Sequence, residues 1–236
     1  MTGSDPDASF RLGYVLGVTP SKWQRTWAER RPEVRLDLIQ ATDEQVVGLV
    51  RDGAVDAALL RLPIDRDGLH AIPLYTETTV VVAPKEHWLA AADEVTVEDL
   101  AEEIVLHPRD DVLDWDSPPG RPADERPGST AHAIGMVAAE AGLLLVPQSL
   151  ARLHQRKDLI QRPVVDVTQS QVALVWPSVA ETGELMEEFI GVVRGRTANS
   201  TRGRTPAPAQ PKRPAAARTP APVRQRSPRR GKPRRR

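Results

Sequence analysis

Three features of this sequence have residue types and positions that could do chemistry. The first is a set of hydroxyls where periodic apolar segments begin: Thr19, Thr42, Ser129 and Thr130. A helix N-terminus presents unpaired N–H groups and a partial positive charge, which suits a carboxylate. The same hydroxyls serve equally as plain helix caps. The second is a pair of polar residues directly behind apolar runs. Arg61 follows the run 55–60 and can grip a carboxylate through two parallel hydrogen bonds, or sit on the surface as ordinary arginine. His107 follows 104–106, as a rim residue or as a satisfied structural histidine. The third is a block of arginine after position 193.

Much chemistry is excluded. There is no cysteine, so disulfides, thiolate nucleophiles and cysteine-bound metals are unavailable. The histidines at 70, 87, 107, 132 and 154 show no metal-ligand spacing. Asp110, Asp111, Asp114 and Asp116 cluster, but the glycine and closing glutamate of a calcium loop are missing, which leaves a solvated loop as the expectation. No nucleophile elbow, P-loop or dinucleotide fingerprint occurs. No catalytic residue, metal or cofactor is therefore expected.

The formal net charge of zero hides an asymmetry. Residues 194–236 hold 15 Lys+Arg, eight prolines and no acidic residue, which leaves 1–193 with a net charge of −15. The basic end lacks the apolar content to offset ordering entropy, so 196–236 is expected to be a disordered tail. Arg202-Gly203-Arg204 and Arg230-Gly231-Lys232 resemble AT-hook cores, in which glycine sits deep in a narrow minor groove between flanking cations. With Arg229, Arg234, Arg235 and Arg236 they are the candidate nucleic-acid contacts, and non-specific phosphate binding is the more cautious reading. The tail could also fold back on the acidic body. The start of the chain lacks the basic and apolar parts of a signal peptide, and no apolar run approaches the ~18 residues of a membrane span. A cytoplasmic protein without membrane contact is expected.

The elements that must position these residues follow from periodicity. Residues 1–9 are polar and read as a loose N-terminus. A buried strand over 10–16 leads to Thr19-Pro20, read as a hydroxyl cap with proline in the first helical position. Trp23 and Trp27, four apart, share a helix face that ends at Arg31-Pro32. Val34, Leu36 and Leu38 alternate as a strand. Thr42-x-x-Gln45 is a capping box, and Gly53 stops the helix it opens. Residues 55–60 form a third strand. This strand–helix alternation predicts a parallel sheet with crossover helices. Further on, 75–83 reads as one strand, Thr96-x-x-Asp99 opens a short helix, and 110–128 is loop. Helices are predicted over 131–141, 149–155 and 181–193, with strands at 104–106, 143–146 and 172–176.

Four segments, in order, resemble the effector-binding domain of LysR-type transcriptional regulators: WAERRPEVRLDL, LVRDGAVDAALL, GLHAIPLYTETTVVVAPKEHWLA and AAEAGLLLVPQSLA. The resemblance covers about 10–195. It implies an α/β, two-lobed fold of the periplasmic-binding-protein type 2 class, each lobe a mainly parallel sheet flanked by helices. The chain would cross between lobes near 75–107 and return near 165–180. It further implies a small-molecule effector in the cleft, held near Thr19, Thr42, Arg61, His107, Ser129 and Thr130, and side-by-side homodimers. The helix starts favour a carboxylate. Gly17-Val18-Thr19 is shorter than the family's usual link between strand one and helix one, so a smaller pocket or a different ligand is expected. A strand beginning near Phe10 leaves no room for a preceding helix-turn-helix, so the expectation is a sensory domain without its DNA reader. Two alternatives stand beside this reading. One is a nucleic-acid-associated protein acting through its tail. The other is an enzyme on the same two-lobed fold, although the Thr-Arg-Phe motif of prephenate dehydratases is absent.

Overall fold

The apolar runs at 57–62 and 79–84 look alike in sequence, yet each becomes an inner strand of a different sheet. The computed structural model describes residues 9–178 and 182–196. The first lobe begins with β1 (Ser9–Val15), α1 (Ser21–Arg30), β2 (Arg35–Ala41), α2 (Asp43–Arg51), β3 (Ala57–Leu62) and β4 (Leu69–Glu77). The second holds β5 (Thr79–Pro84), β6 (Ile104–Leu106), β7 (Arg121–Pro122), α3 (Thr130–Ala138), β8 (Leu143–Pro147), α4 (Gln148–Leu153) and β9 (Leu159–Pro163). The chain then returns to the first lobe as β10 (Ser170–Pro177) and α5 (Glu184–Val193). The sheet orders are β2-β1-β3-β10-β4 and β7-β6-β8-β5-β9.

Each sheet is mixed rather than mainly parallel. β1 runs parallel to β2 and β3, as strand–helix–strand units require. β10 runs antiparallel to β3 and β4, and β5 antiparallel to β8 and β9. These two strands are the ones fed in from the other lobe, so the crossover rule that fixes direction between sequential strands does not govern them.

The predicted strand 75–83 is in fact broken. Its first part belongs to β4 and its second to β5, with Thr78 between the two sheets. The return passes through 164–169, where the Thr79 hydroxyl donates to the Thr168 carbonyl at 2.8 Å and ties the two crossings together.

Local signals explain much of the first lobe. The Thr42 hydroxyl accepts from Gln45 N at 3.2 Å, and the Gln45 side chain accepts from Thr42 N, which completes the capping box. Gly53 follows α2 with φ +68°, a conformation costly for other residues. At α1 the expected cap differs. The helix opens on Pro20 with no side-chain cap, and Thr19 lies exposed just before it.

The core of the first lobe centres on three rings. Phe10 stacks on Phe189 at 5.0 Å, and Trp27 meets them at 5.4 and 5.6 Å. Trp27 Nε1 donates to the Val34 carbonyl at 2.9 Å, so the buried indole keeps no free donor. Trp23, on the same helix, is half-buried against this core. In the second lobe the strand period of two divides the sheet between two apolar layers. Val80, Val82, Leu144 and Val146 face α3 and α4, while Val81, Ala83, Leu143 and Leu145 face Leu89, Leu100 and Leu113.

Candidate functional site

A cavity of about 410 Å³ lies where the lobes and the first crossing meet. The turn after β1 and the start of α1 supply Gly17, Thr19, Lys22 and Trp23. The crossing supplies Tyr75, Thr76, Glu77 and Thr78. Helix α4 supplies Gln148, Ser149 and Arg152. Trp23 and Tyr75 offer ring faces. The Tyr75 hydroxyl is pushed above its ordinary pKa by burial and by the nearby Glu77 carboxylate, so it stays a neutral donor. Lys22 and Arg152 enter from opposite lobes, and neither charged group has a hydrogen bond or ion pair among the described residues.

Glu77 and Ser149, which line the cavity, belong to a buried polar cluster behind it. Arg61 is 5% exposed and Glu77 7%. Arg61 Nε donates to Glu77 Oε2 at 2.8 Å, and Ser170 Oγ donates to the same oxygen at 3.1 Å. The Ser149 hydroxyl donates to Glu77 Oε1 and accepts from Arg61 Nη2 at 3.2 Å. Arg61 Nη1 also reaches Asp43 at 3.5 Å. Burial raises the Asp43 carboxyl above its ordinary pKa, partly offset by Arg61. Arg61 therefore meets a carboxylate as its type implies, but the carboxylate is the protein's own.

The other sequence candidates are distributed as follows. Thr19 lines the cavity. Arg61, Thr42, His107, Ser129 and Thr130 lie outside its lining. Thr42 caps α2, and Ser129 caps α3 by accepting from His132 N at 3.2 Å. Thr130 N and Oγ both donate to Asp110, at 2.6 and 3.0 Å. His107 Nε2 is 3.3 Å from the Pro119 carbonyl, and its ring is edge-on to Trp115 at 6.0 Å. The loop 110–128 is more ordered than expected. It contributes β7, and Asp111 accepts from Leu113 N and Trp115 Nε1 at 3.0 and 2.9 Å. Among the described residues no cluster of His, Asp or Glu could hold a metal ion. None of their helices is long and apolar enough to cross a membrane. The tail candidates Arg202, Arg204, Arg229, Arg230, Lys232, Arg234, Arg235 and Arg236 lie outside the described residues.

Sequence reasoning missed Glu77, Ser149, Lys22, Trp23, Tyr75 and Arg152 as cavity residues. The one available signal was the pair Thr78-Thr79 beside Glu77, polar residues interrupting an otherwise strand-like run.

This two-lobed frame, with a cavity at the crossing, defines a small-molecule-binding domain of the periplasmic-binding-protein type 2 class. Residues 10–198 match the LysR substrate binding domain family, and the chain belongs to it. It is 35% identical over 154 residues to a probable hydrogen peroxide-inducible genes activator of Mycobacterium avium, covering 60% of this chain and 50% of that protein. It is 28% identical over 155 residues to the regulator CatR of Pseudomonas putida, covering 59% and 54%. The chain thus spans about half the length of the curated relatives it matches. Among solved structures, the BenM effector binding domain with its effector benzoate aligns with a TM-score of 0.66 at 20% identity, covering 80% of this chain and 91% of that one. The Corynebacterium glutamicum OxyR C206 mutant aligns at 0.64 and 22%, covering 82% and 65%. At such identities these two establish the fold. The named relatives are regulators of transcription rather than enzymes.

Proposed function

We propose that this chain is the effector-sensing part of a LysR-type regulatory system, working in the cytoplasm as a homodimer, and that its cleft takes a small carboxylate. The observation that carries the ligand class is the pair Lys22 and Arg152, two cations without partners among the described residues, facing one cavity within an acidic body. Each can give a charge-assisted hydrogen bond to a carboxylate. Trp23 and Tyr75 offer apolar faces for the rest of the molecule. The likeness to a domain that binds benzoate supports an aryl or short alkyl acid. This chain has no cysteine, so thiol oxidation is not a signal it can receive through its own side chains. Thermal denaturation of the full chain with acetate, benzoate, benzyl alcohol and benzylamine tests the reading. Stabilisation by one of the acids alone is expected. Stabilisation by benzylamine or benzyl alcohol and by neither acid would overturn it.

A second activity rests on charge. The 15 Lys+Arg of 194–236, with no acid among them, favour non-specific binding of that segment to nucleic acid. Gel-shift titration of the isolated segment against duplex DNA and RNA tests it, and no shift at low salt would refute it.

A further inference from the structure

We infer that Glu77 anchors a latch that fixes the setting of the two lobes and with it the width of the cleft. Glu77 ends β4, one residue before Thr78 carries the chain into the second sheet. Its carboxylate takes donors from three separate segments. Arg61 comes from β3 in the first lobe, Ser149 from α4 in the second, and Ser170 from the point where the chain re-enters the first. Arg61 closes the ring by donating to Ser149.

Ser149 is the second lobe's member of the cluster, and its hydroxyl both donates and accepts within it. Its proton goes to Glu77 and a lone pair accepts from Arg61. A short, directional side chain meets both partners in one relative position of the lobes. Opening the cleft would pull Ser149 from both and leave a buried carboxylate and guanidinium each short of a partner, which is unfavourable.

The backbone is shaped to the same position. A Cβ on Gly17 would lie 2.8 Å from Ser149 Oγ, 2.9 Å from Arg61 Nη2 and 3.1 Å from Leu150 Cδ2. The turn after β1 thus reaches the second lobe because it carries no side chain, and its φ of +83° favours glycine as well. Glu77 and Ser149 also line the cavity, so a ligand that reaches them meets the latch. Any signalling role rests on the effector reading above. The lobe setting itself does not.

The test needs no ligand, so it succeeds or fails separately from that reading. Because the chain has no cysteine, Gln24→Cys in α1 and Glu98→Cys in the second lobe give one clean pair of spin labels on exposed positions. Electron paramagnetic resonance on the full chain should show a narrow distance distribution. Ser149→Ala should broaden it or shift it to longer distance with an unchanged far-ultraviolet circular dichroism spectrum. Gly17→Ala should lengthen the distance by wedging the lobes. Ser170→Ala removes a donor to Glu77 without touching the second lobe and should leave the distribution as it was. Superimposable distributions for Ser149→Ala and its parent overturn the latch, as does equal broadening by Ser170→Ala.

Discussion

Arg61 Nε and Glu77 Oε2 meet at 2.8 Å with only 2% and 5% of their side chains exposed. Removing one partner of such a pair strands the other charge away from water. Arg61→Met or Glu77→Leu should each destabilise the fold by about 3–5 kcal/mol. The paired replacement Arg61→Met with Glu77→Leu should recover much of that loss. Urea denaturation of the two single variants and the double variant measures the coupling. Additive losses in the double variant would refute the pairing as an energetic unit.

Asp43 predicts a pH dependence. Its folded-state pKa lies above the ordinary carboxyl value because burial disfavours the charged form. A group shifted upward contributes stability below its unfolded pKa and loses it as pH rises through the folded pKa. Asp43→Asn has no charge to lose. Its stability relative to the native chain should therefore improve steadily from acidic to neutral pH. Denaturation midpoints of both proteins across that window provide the check, and a constant difference would contradict the direction.

The ring cluster of Phe10, Trp27 and Phe189 joins β1, α1 and α5, the last element described. Phe189 is fully buried. Phe189→Ala should cost about 3–5 kcal/mol through lost burial and the cavity left behind. A loss below about 1 kcal/mol would mean that α5 contributes little to the first lobe.

For the cleft, Arg152→Ala and Lys22→Ala should each weaken benzoate binding by about 1.5–3 kcal/mol, the range for a hydrogen bond to a charged group. Calorimetry reads this as a loss of roughly tenfold or more. Both cations are exposed, so the fold should tolerate either change. Unchanged affinity in both variants would place the acid elsewhere.

For residues 194–236, DNA binding should fall steeply with salt. Contact with ~6–10 phosphates would cost about a thousandfold or more in affinity between roughly 50 and 200 mM salt. A flat salt response would exclude phosphate neutralisation as the source of binding.

The sequence by itself determined what acts over a few residues. The Thr42–Gln45 capping box, the stop at Gly53 and the alternation of Val34, Leu36 and Leu38 could be read because caps, breakers and side-chain period are local physics. The order β1-α1-β2-α2-β3 was legible from such patterns, β4 over 69–74 was not, and the quoted segments pointed to the family. Tertiary structure decided the rest. The polar residues around Thr78 mark an interruption in the strand-like run, but nothing local says that the exposed edge strand β4 and the buried β5 join different sheets, because side-chain period reports the pleat of a strand and not the sheet it pairs with. Arg61 could be read as carboxylate-seeking, but its partner could not. Glu77 lies 16 residues away, and the donors that complete the cluster lie 72 and 93 residues from Glu77. Periodicity reports that a side chain is buried. Which distant groups share its burial is settled only when two sheets, linked by two crossings, close around one point.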